Sequence, residues 1–431
     1  MDRTRGQLGP LYRRLPHGPS GLDREQVARN QRARLYGGMI ESVAQRGYRA
    51  TTVAHVIGLA GVSRRAFYEL FSDKESCFLG AYDIVVASTR RLMLEAWASQ
   101  RGWENRLHAA CRALLDETAL SPNGPSLVLV DALGIGSQAR ERLHLAGLTF
   151  ERLVAAAFNS SPRGIGFPQL APRAVVGGVR HLAFVRLRCE RAQELATMTE
   201  EVLDWIEAYR TPAAARLDST GMVDPPHVPP ARALFLAGEG RRARLLGSVV
   251  HLTLDCGYVN VSDPQIAQFA GLSTEAFHRQ FANKEACLLA VLQEFAGELL
   301  DWVRPRMELS PRWPQAAYAG VAAFVEYLTA HEALLRIAFI EVFELGPAVA
   351  GRMTHSVDAL TELLTSSGPE PQRAPAIARE AITGALWGII ATYVVGNRIT
   401  RLPALIDQLA FVVLAPYVGP KLALETIASM H

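Results

Sequence analysis

The feature that most constrains this 431-residue chain is an internal repeat. Sliding the sequence by 210 residues aligns Arg32–Tyr82 with Arg242–Leu292 without a gap, and 17 of the 51 positions are identical. Near the C-terminal ends of the two copies the offset becomes 207, which pairs Gly177 with Gly384. A repeat of this length indicates one structural unit used twice, so the fold of one copy predicts the fold of the other.

Proline marks the boundary between the two copies. The prolines of this stretch are Pro212, Pro225, Pro226, Pro229 and Pro230. Because proline cannot continue a helix, they favour an extended linker. The predicted domains are a disordered basic arm (1–22), a helix-turn-helix domain (23–74), a helical regulatory domain (75–210), the linker (211–230), a second, degenerate helix-turn-helix domain (231–284) and a second helical regulatory domain (285–431).

The pattern within one copy predicts an all-α fold. Leu35, Met39 and Val43 recur at helical spacing, and no run of residues alternates as a strand would. Helix boundaries follow from capping residues. The predicted boundaries are a helix end at Gly47, a second helix capped by Thr51 or Thr52, a third over Arg64–Leu70 capped by Ser63, and a fourth opened by a capping box at 72–75 and running to about Trp97.

The second and third helices have the spacing of a helix-turn-helix. Ala-Gly-Val-Ser at 60–63 joins them, and Ser63 starts a helix whose N-terminus can face a phosphate. Arg64–Arg65 lies where a recognition helix contacts guanine in the major groove, while Tyr68 and Lys74 lie where they can reach phosphates. The alternative is a helical hairpin on which the two arginines are merely solvated.

These motifs resemble the DNA-binding domain of the TetR family of bacterial regulators. The residues that carry the resemblance are Gly47–Val53, Ala60–Ser63, Phe67–Phe71 and Lys74–Glu75, with upstream similarity to many actinobacterial members at 22–25 and 31–35. The resemblance implies that Thr51 or Thr52, Tyr68 and Lys74 hold backbone phosphates and that Arg64 and Arg65 read bases. Leu70 departs from the pattern, since histidine or tyrosine is common there, which puts one phosphate contact in doubt.

The regulatory regions resemble the same family more loosely. The similar segments are Leu127–Ala132 and Leu335–Val342 (the family's sixth helix, followed here by Gly136 and Gly346), Ala171–Arg191 and Ala374–Arg398 (the eighth), and Leu195–Tyr209 and Leu402–Tyr417 (the ninth). In the family the last two helices form a four-helix dimer interface and the middle helices enclose a small ligand. The resemblance therefore implies an intrachain pseudo-dimer, with a homodimer of the fused chain left open.

An apolar small-molecule effector is the expected signal. The candidate lining residues are Trp103, Phe150 and Phe158 in the first copy and Trp302, Phe324, Tyr327 and Phe343 in the second. The alternative for each residue is that it fills the core. The second DNA-binding domain departs from the family pattern at its candidate DNA contacts, while the regulatory segments of the second copy keep that pattern. We therefore expect the second half to bind the effector.

The second DNA-binding domain is predicted to be the weaker reader. Its candidate contacts are Ser273, Thr274, His278 and Lys284, so that Thr274-Glu275 replaces the arginine pair and His278 replaces the tyrosine. Arg24–Lys74 holds nine basic and four acidic residues (9 − 4 = +5), whereas Leu234–Lys284 holds five and four (5 − 4 = +1). Since salt-dependent DNA affinity scales with the phosphates neutralised, we expect the first domain to supply most of the affinity. The second either docks weakly or serves only as scaffold.

The N-terminal arm also has two interpretations. Met1–Gly21 contains four arginines, at positions 3, 5, 13 and 14. Such an arm can enter a minor groove, and it can also be a plain disordered tail. The same segment lacks the apolar core of a secretory signal. In the second domain, Asp263 is predicted to cap the second helix, with Pro264 at its first helical position.

Other function classes find little support in the sequence. There is no HExxH, P-loop or GxSxG motif, and the five cysteines stand far apart without a CxxC pair, so no enzyme, cofactor or metal site is expected. The longest uncharged run, Ala381–Asn397, is 17 residues, short of the roughly 20 that span a bilayer. The chain is therefore interpreted as a cytoplasmic transcriptional regulator that binds an operator in double-stranded DNA. Repression is the family's usual mode, and activation stays open. The rival interpretation is a sensor or interaction protein of this fold that has lost operator binding.

Overall fold

The computed structural model describes residues 23–133, 135–212, 217, 236, 238–310, 312–341, 358–366 and 374–431. Helices dominate this part of the chain, which confirms the predicted all-α class. The strands found within it are β1 (Ile165–Gly166) and β2 (Thr211–Pro212), paired antiparallel. The predicted arm at 1–22, most of the linker at 211–230, and Val342, Phe343 and Gly346 lie outside the described residues.

Helices of the first copy follow the order expected from the caps. They are α1 (Arg24–Ala50), α2 (Val53–Ala60), α3 (Arg64–Leu70), α4 (Lys74–Ser99), α5 (Trp103–Leu120), α6 (Asn123–Ser126) with a π-helical turn (Leu127–Asp131), α7 (Ser137–Asn159), α8 (Ala171–Arg188) and α9 (Thr199–Glu207), the last preceded by a 3₁₀ turn (Ala192–Thr197).

Helices of the second copy repeat that order. They are α10 (Arg241–Cys256), α11 (Asp263–Phe269), α12 (Thr274–His278), α13 (Lys284–Glu308), α14 (Trp313–Ala330), α15 (Glu332–Phe339), helical residues 358–365, α16 (Ala378–Val395) and α17 (Ile406–Ala428), with 3₁₀ turns at Tyr258–Asn260 and Ile399–Leu405. We call Arg24–Lys74 the first head and Arg241–Lys284 the second head.

Several predicted caps are confirmed and two are corrected. Thr52 and Ser63 cap α2 and α3 as expected. The predicted capping box at 72–75 is wrong by one residue, because the Asp73 side chain accepts from the backbone N–H of Ser76 and the Ser76 hydroxyl bonds back. In the second head Ser262, not Asp263, precedes the helix, since its N–H and hydroxyl both donate to the Gln265 side chain.

A buried apolar core holds the first head together. Leu35 and Met39 of α1, Phe67 of α3 and Phe78 of α4 are fully buried in one cluster. The π-helical turn adds Leu127 to the same cluster. Burying a large side chain of this kind stabilises by about 1.5–3 kcal/mol, so the core fixes how α3 is presented.

The chain separates into two compact units that do not follow the linear order. One comprises residues 1–146 and 183–197, and the other comprises residues 147–182 and 198–431. The division therefore does not fall at the predicted linker. Most of α8 and all of α9 belong with the second copy.

Within the larger unit, α8 packs closely on α16. A Cβ atom added to Gly177 would lie 2.6 Å from the carbonyl oxygen of Gly384, so only glycine permits this backbone approach. The Tyr209 hydroxyl, just after α9, donates to the carbonyl of Val412 in α17 at 3.2 Å. The last helices of the first copy thus pack on those of the second.

One described stretch, Ile399–Ala428, is long and apolar enough to cross a membrane by length and composition alone. Of the most apolar part of this stretch, 61% is buried inside the protein, as is also typical of a core helix. The uncharged run singled out in the sequence forms α16, most of whose residues are buried.

Candidate nucleic-acid interface

The N-terminus of α3 is shaped by two caps and a glycine turn. Ser63 Oγ accepts from the backbone N–H of Ala66 at 3.1 Å, and Thr52 Oγ1 accepts from that of His55 at 3.3 Å. Gly61 takes the left-handed conformation (φ 59°) that ends α2. Arg34 of α1 donates to the carbonyls of Ala60 and Gly61, the latter at 2.6 Å, and so anchors this turn. The turn is held by the head itself, which orients α3.

Both arginines at the start of α3 are exposed and held by the residue four positions later. The Arg65 side chain is 91% exposed, and its Nε donates to Glu69 Oε1 at 2.8 Å. The Arg64 guanidinium lies 5.8 Å from the centre of the Tyr68 ring, and Tyr68 is itself 48% exposed. The structure therefore places two cations on the surface at one helix end, where the sequence predicted base contacts.

Lys74 has a structural role that the sequence did not indicate. Its Nζ donates to the carbonyls of Tyr48 and Thr51, each at 2.9 Å, and lies 4.1 Å from the centre of the Tyr48 ring. Partial burial lowers the pKa of Lys74. Because an ammonium has three donors, one remains for a phosphate after the two carbonyls are bonded. Lys284 repeats the arrangement with the carbonyls of Tyr258 and Val261, at 3.0 and 2.6 Å.

The two adjacent threonines differ in accessibility. Thr51 is buried, and its hydroxyl donates to the carbonyl of Gly47 at 2.9 Å. Thr52 is exposed at the first turn of α2. Of the two predicted phosphate contacts, only Thr52 presents its side chain to solvent.

Two further arginines border the helix-turn-helix and were not singled out from the sequence. Arg46 and Arg49 flank Gly47, where α1 bends with φ 74°. Arg46 and Arg49 are both exposed. Their signal was the charge excess of the first head, which counts all cations without showing which ones are close to α3.

The second head lacks a cation at each corresponding position. At the 210-residue offset, Arg46, Arg49, Arg64 and Arg65 become Cys256, Val259, Thr274 and Glu275. Val259 is 65% exposed, so apolar surface takes the place of charge.

Helix α12 keeps its cap while carrying a negative charge at its start. Ser273 Oγ accepts from the backbone N–H of Ala276 at 3.2 Å. A hydrogen bond from Ser273 lowers the pKa of the Glu275 carboxyl, so this residue is ionised at neutral pH. Thr274 is half-buried, and exposed His278 lies 3.9 Å from Asp263 Oδ2. The predicted second-head contacts thus lie together, but without a free cation at the helix start.

Comparison with known proteins agrees with this geometry. Residues 40–81, from the end of α1 through α3 into α4, match the family described as bacterial regulatory proteins, tetR family. The HTH-type transcriptional activator FasR of Mycolicibacterium smegmatis is 28% identical over 148 residues, which is 33% of this chain and 68% of that protein. The chain is therefore similar to TetR-family regulators over part of its length.

Two solved structures are similar to part of the chain. The fatty acid degradation regulator FadR from Bacillus halodurans is 19% identical with a TM-score of 0.37, covering 42% of this chain and 98% of its own. The transcriptional regulator FadR from Bacillus subtilis, in complex with stearoyl-CoA, is 14% identical with a TM-score of 0.37, covering 40% and 96%.

Proposed function

We propose that this TetR-like chain is a sequence-specific transcriptional regulator that reads its operator through the first head. The observation that carries the proposal is the exposed start of α3, where Ser63 caps the helix and Arg64 and Arg65 are both held on its surface. Arginine pairs with guanine O6 and N7 in the major groove, and a capped helix N-terminus attracts a phosphate. Thr52 and the remaining donor of Lys74 are the proposed phosphate contacts.

The second head contributes little to affinity in this proposal. Glu275 is ionised at the start of α12, and phosphates repel it. The net charges of +5 for Arg24–Lys74 and +1 for Leu234–Lys284 point the same way. The second head therefore acts mainly as a scaffold with the same fold.

The two copies form an intrachain pseudo-dimer in this proposal. The close approach of Gly177 to Gly384 and the hydrogen bond from Tyr209 to Val412 support it, since both join the last helices of one copy to those of the other. Because protein symmetry mirrors operator symmetry, two unequal heads suit an asymmetric site. A dimer of fused chains is the alternative arrangement, and light scattering of the purified chain distinguishes the two by mass.

An apolar effector is proposed to bind the first regulatory region, not the second as the sequence suggested. Beyond Tyr82, α4 contains no fully buried residue within its described length, and Val85, Val86 and Met93 remain half-buried. The corresponding part of α13 buries side chains throughout, among them Leu299 and Val303. Buried aromatic candidates occur in both copies, Trp103 and Phe158 in the first and Phe324 and Tyr327 in the second, so the difference lies in α4 and α13. The first copy therefore leaves more apolar surface for a ligand to cover, and stabilisation by apolar compounds in a thermal-shift screen tests this site.

A gel-shift assay with the DNA upstream of the gene tests the central proposal. The wild-type chain should retard this DNA, and Arg64→Ala with Arg65→Ala should lose the retarded band. Arg90→Ala with Arg91→Ala is a matched control, because it also removes two adjacent exposed arginines, one of them ion-paired to the residue four positions later. If the wild type retards the DNA and neither pair matters, the assignment of reading to α3 is wrong. If no DNA is retarded, the alternative of a sensor without operator binding is supported.

Repression is proposed as the mode of regulation, and cytoplasmic location follows from a DNA target. The FasR relative is named an activator, so the sign needs its own measurement. A reporter gene fused to the upstream DNA should rise in expression when the regulator is removed. A fall would indicate activation while leaving the DNA-binding proposal intact.

A further inference from the structure

Glu69 is an acidic residue on α3, the helix proposed to enter the major groove of negatively charged DNA. It lies one turn after Arg65 on α3, with 60% of its side chain exposed. A carboxylate at such a position opposes DNA binding unless a cation neutralises it. Its Oε1 accepts from Arg65 Nε at 2.8 Å, so Glu69 is paired with one of the two proposed base-reading residues.

The atom that Glu69 engages restricts how Arg65 can read a base. A guanidinium offers two edges to guanine: the end-on fork of its two Nη atoms, and the side edge that includes Nε. Because Nε already donates to Glu69, the end-on fork is the edge left for O6 and N7. Fixing the guanidinium before DNA arrives also reduces the rotamer entropy lost on binding.

We propose that Glu69 is a positioning residue that sets the base specificity of Arg65 by holding its Nε and presenting the Nη fork to guanine. The inference rests on the proposed DNA-reading role of the first head. It assigns Glu69 no contact with DNA. Its contribution is to discrimination between bases, while its charge lowers affinity for every sequence alike.

The Arg65–Glu69 ion pair contributes little to the stability of the fold. Exposed ion pairs at i,i+4 contribute little to helix stability. Removal of the Glu69 side chain should therefore leave the head folded, and its effect can be read in DNA binding. The second head reverses the two charges, with Glu275 at the position of Arg65 and Arg279 at that of Glu69, so it does not reproduce the arrangement.

The experiment begins with the full chain and a randomised duplex DNA library. Sites enriched by the wild type are compared with sites enriched by Arg65→Ala, and the guanine whose preference is lost identifies the base that Arg65 reads. Duplexes with and without that guanine then serve as probes for Glu69→Ala, Glu69→Gln and Glu95→Ala. The last variant is the matched control, because Arg91 and Glu95 form an exposed i,i+4 pair on α4, away from the head.

Glu69→Ala should lower the affinity ratio between the two probes about tenfold while strengthening binding to both the substituted probe and unrelated DNA. Glu69→Gln should keep the wild-type ratio, because an amide oxygen still accepts from Nε, and should show the same gain on unrelated DNA. Glu95→Ala should leave the ratio unchanged.

The inference is overturned if Glu69→Ala keeps the affinity ratio between the two probes, or if Glu69→Gln lowers that ratio as much as Glu69→Ala does. It is also overturned if Arg65→Ala relaxes the preference for guanine at no position of the site. In each case the wild type still selects a site and the proposed function stands. If the wild type enriches no sequence, the proposed function and the inference fail together.

Discussion

The two heads share an interior and differ at the surface. Phe67 and Phe277 are both fully buried, and Ser63 and Ser273 cap corresponding helices. Lys74 and Lys284 donate to equivalent backbone carbonyls. The residues that build the helix-turn-helix are thus retained in both copies.

The exposed positions follow a different rule. At the start of the third helix of each head, two arginines in the first correspond to a threonine and a glutamate in the second. No packing or capping requirement fixes residues at these sites, since Arg65 is 91% exposed. A head can therefore keep its fold while losing the charges proposed to bind phosphates and bases, and fold alone does not show that a head reads DNA.

The largest expected effect concerns the shared interior. Phe67→Ala and Phe277→Ala should each lower the free energy of unfolding of their own head by about 3–5 kcal/mol, because each removes a fully buried ring. Hydrogen exchange of the amides in α3 and α12 measures the two effects separately. Only Phe67→Ala should abolish operator binding. Loss of binding in Phe277→Ala with an intact α3 would mean that the second head also reads DNA.

The next prediction compares equivalent acidic positions in the regulatory segments of the two copies. Burial raises the pKa of Asp131, in the π-helical turn, to about 6. In the unfolded chain the pKa of Asp131 is 3.8, so the folded chain binds the proton more tightly. The free energy of unfolding therefore falls as the pH rises from the lower pKa to the higher one. The loss should be on the order of 2–3 kcal/mol.

Asp131→Asn should remove that part of the pH dependence, as followed by denaturant unfolding between pH 4 and pH 7, a range set by the two pKa values. Asp255→Asn is the control, because Asp255 is exposed on α10. At the position equivalent to Asp131, Glu341 instead accepts from the backbone N–H of Tyr258 at 3.1 Å. An unchanged pH profile in Asp131→Asn would contradict burial as the cause of the shift.

A smaller effect is expected when the surface difference is reversed. Thr274→Arg with Glu275→Arg adds three positive charges at the start of α12. The log–log slope of DNA affinity against salt should steepen by about one to two. Ser88→Arg with Glu95→Arg adds the same charge at exposed positions of α4 and should change the slope less. Equal slopes for the two variants would show that the second head does not approach DNA.

The sequence predicted the local features of the heads well. Glycine turns and the Thr52 and Ser63 caps depend on neighbouring residues alone, and the i,i+4 spacing of Arg65 and Glu69 was also readable, although its use was not recognised. The burial of Thr51 was not predictable, because the packing of α1 decides which of two adjacent threonines faces inward. The bonds from Lys74 to carbonyls more than 20 residues away depend on tertiary structure in the same way.

The packing and the ends of whole helices were also harder to predict than the local features of the heads. The repeat alone predicted two consecutive units, and only the family resemblance implied contacts between their last helices; in the structure most of α8 and all of α9 group with the second copy. The predicted sixth helix of the first copy is a short π-helical turn, and the eighth and ninth helices differ from prediction by several residues at their ends. Periodicity indicates that a helix has an apolar face, but not which partner will cover it.

Site selection from randomised duplex DNA by three forms of the full chain tests the central claim most directly. The forms are the wild type, Arg64→Ala with Arg65→Ala, and Thr274→Ala with Glu275→Ala. We expect the wild type to enrich one asymmetric motif, the first variant to lose it at a cost of about 1–3 kcal/mol per base contact, and the second variant to keep it. A motif that survives loss of the arginine pair and disappears with the Thr274 and Glu275 changes would contradict the assignment of DNA reading to the first head.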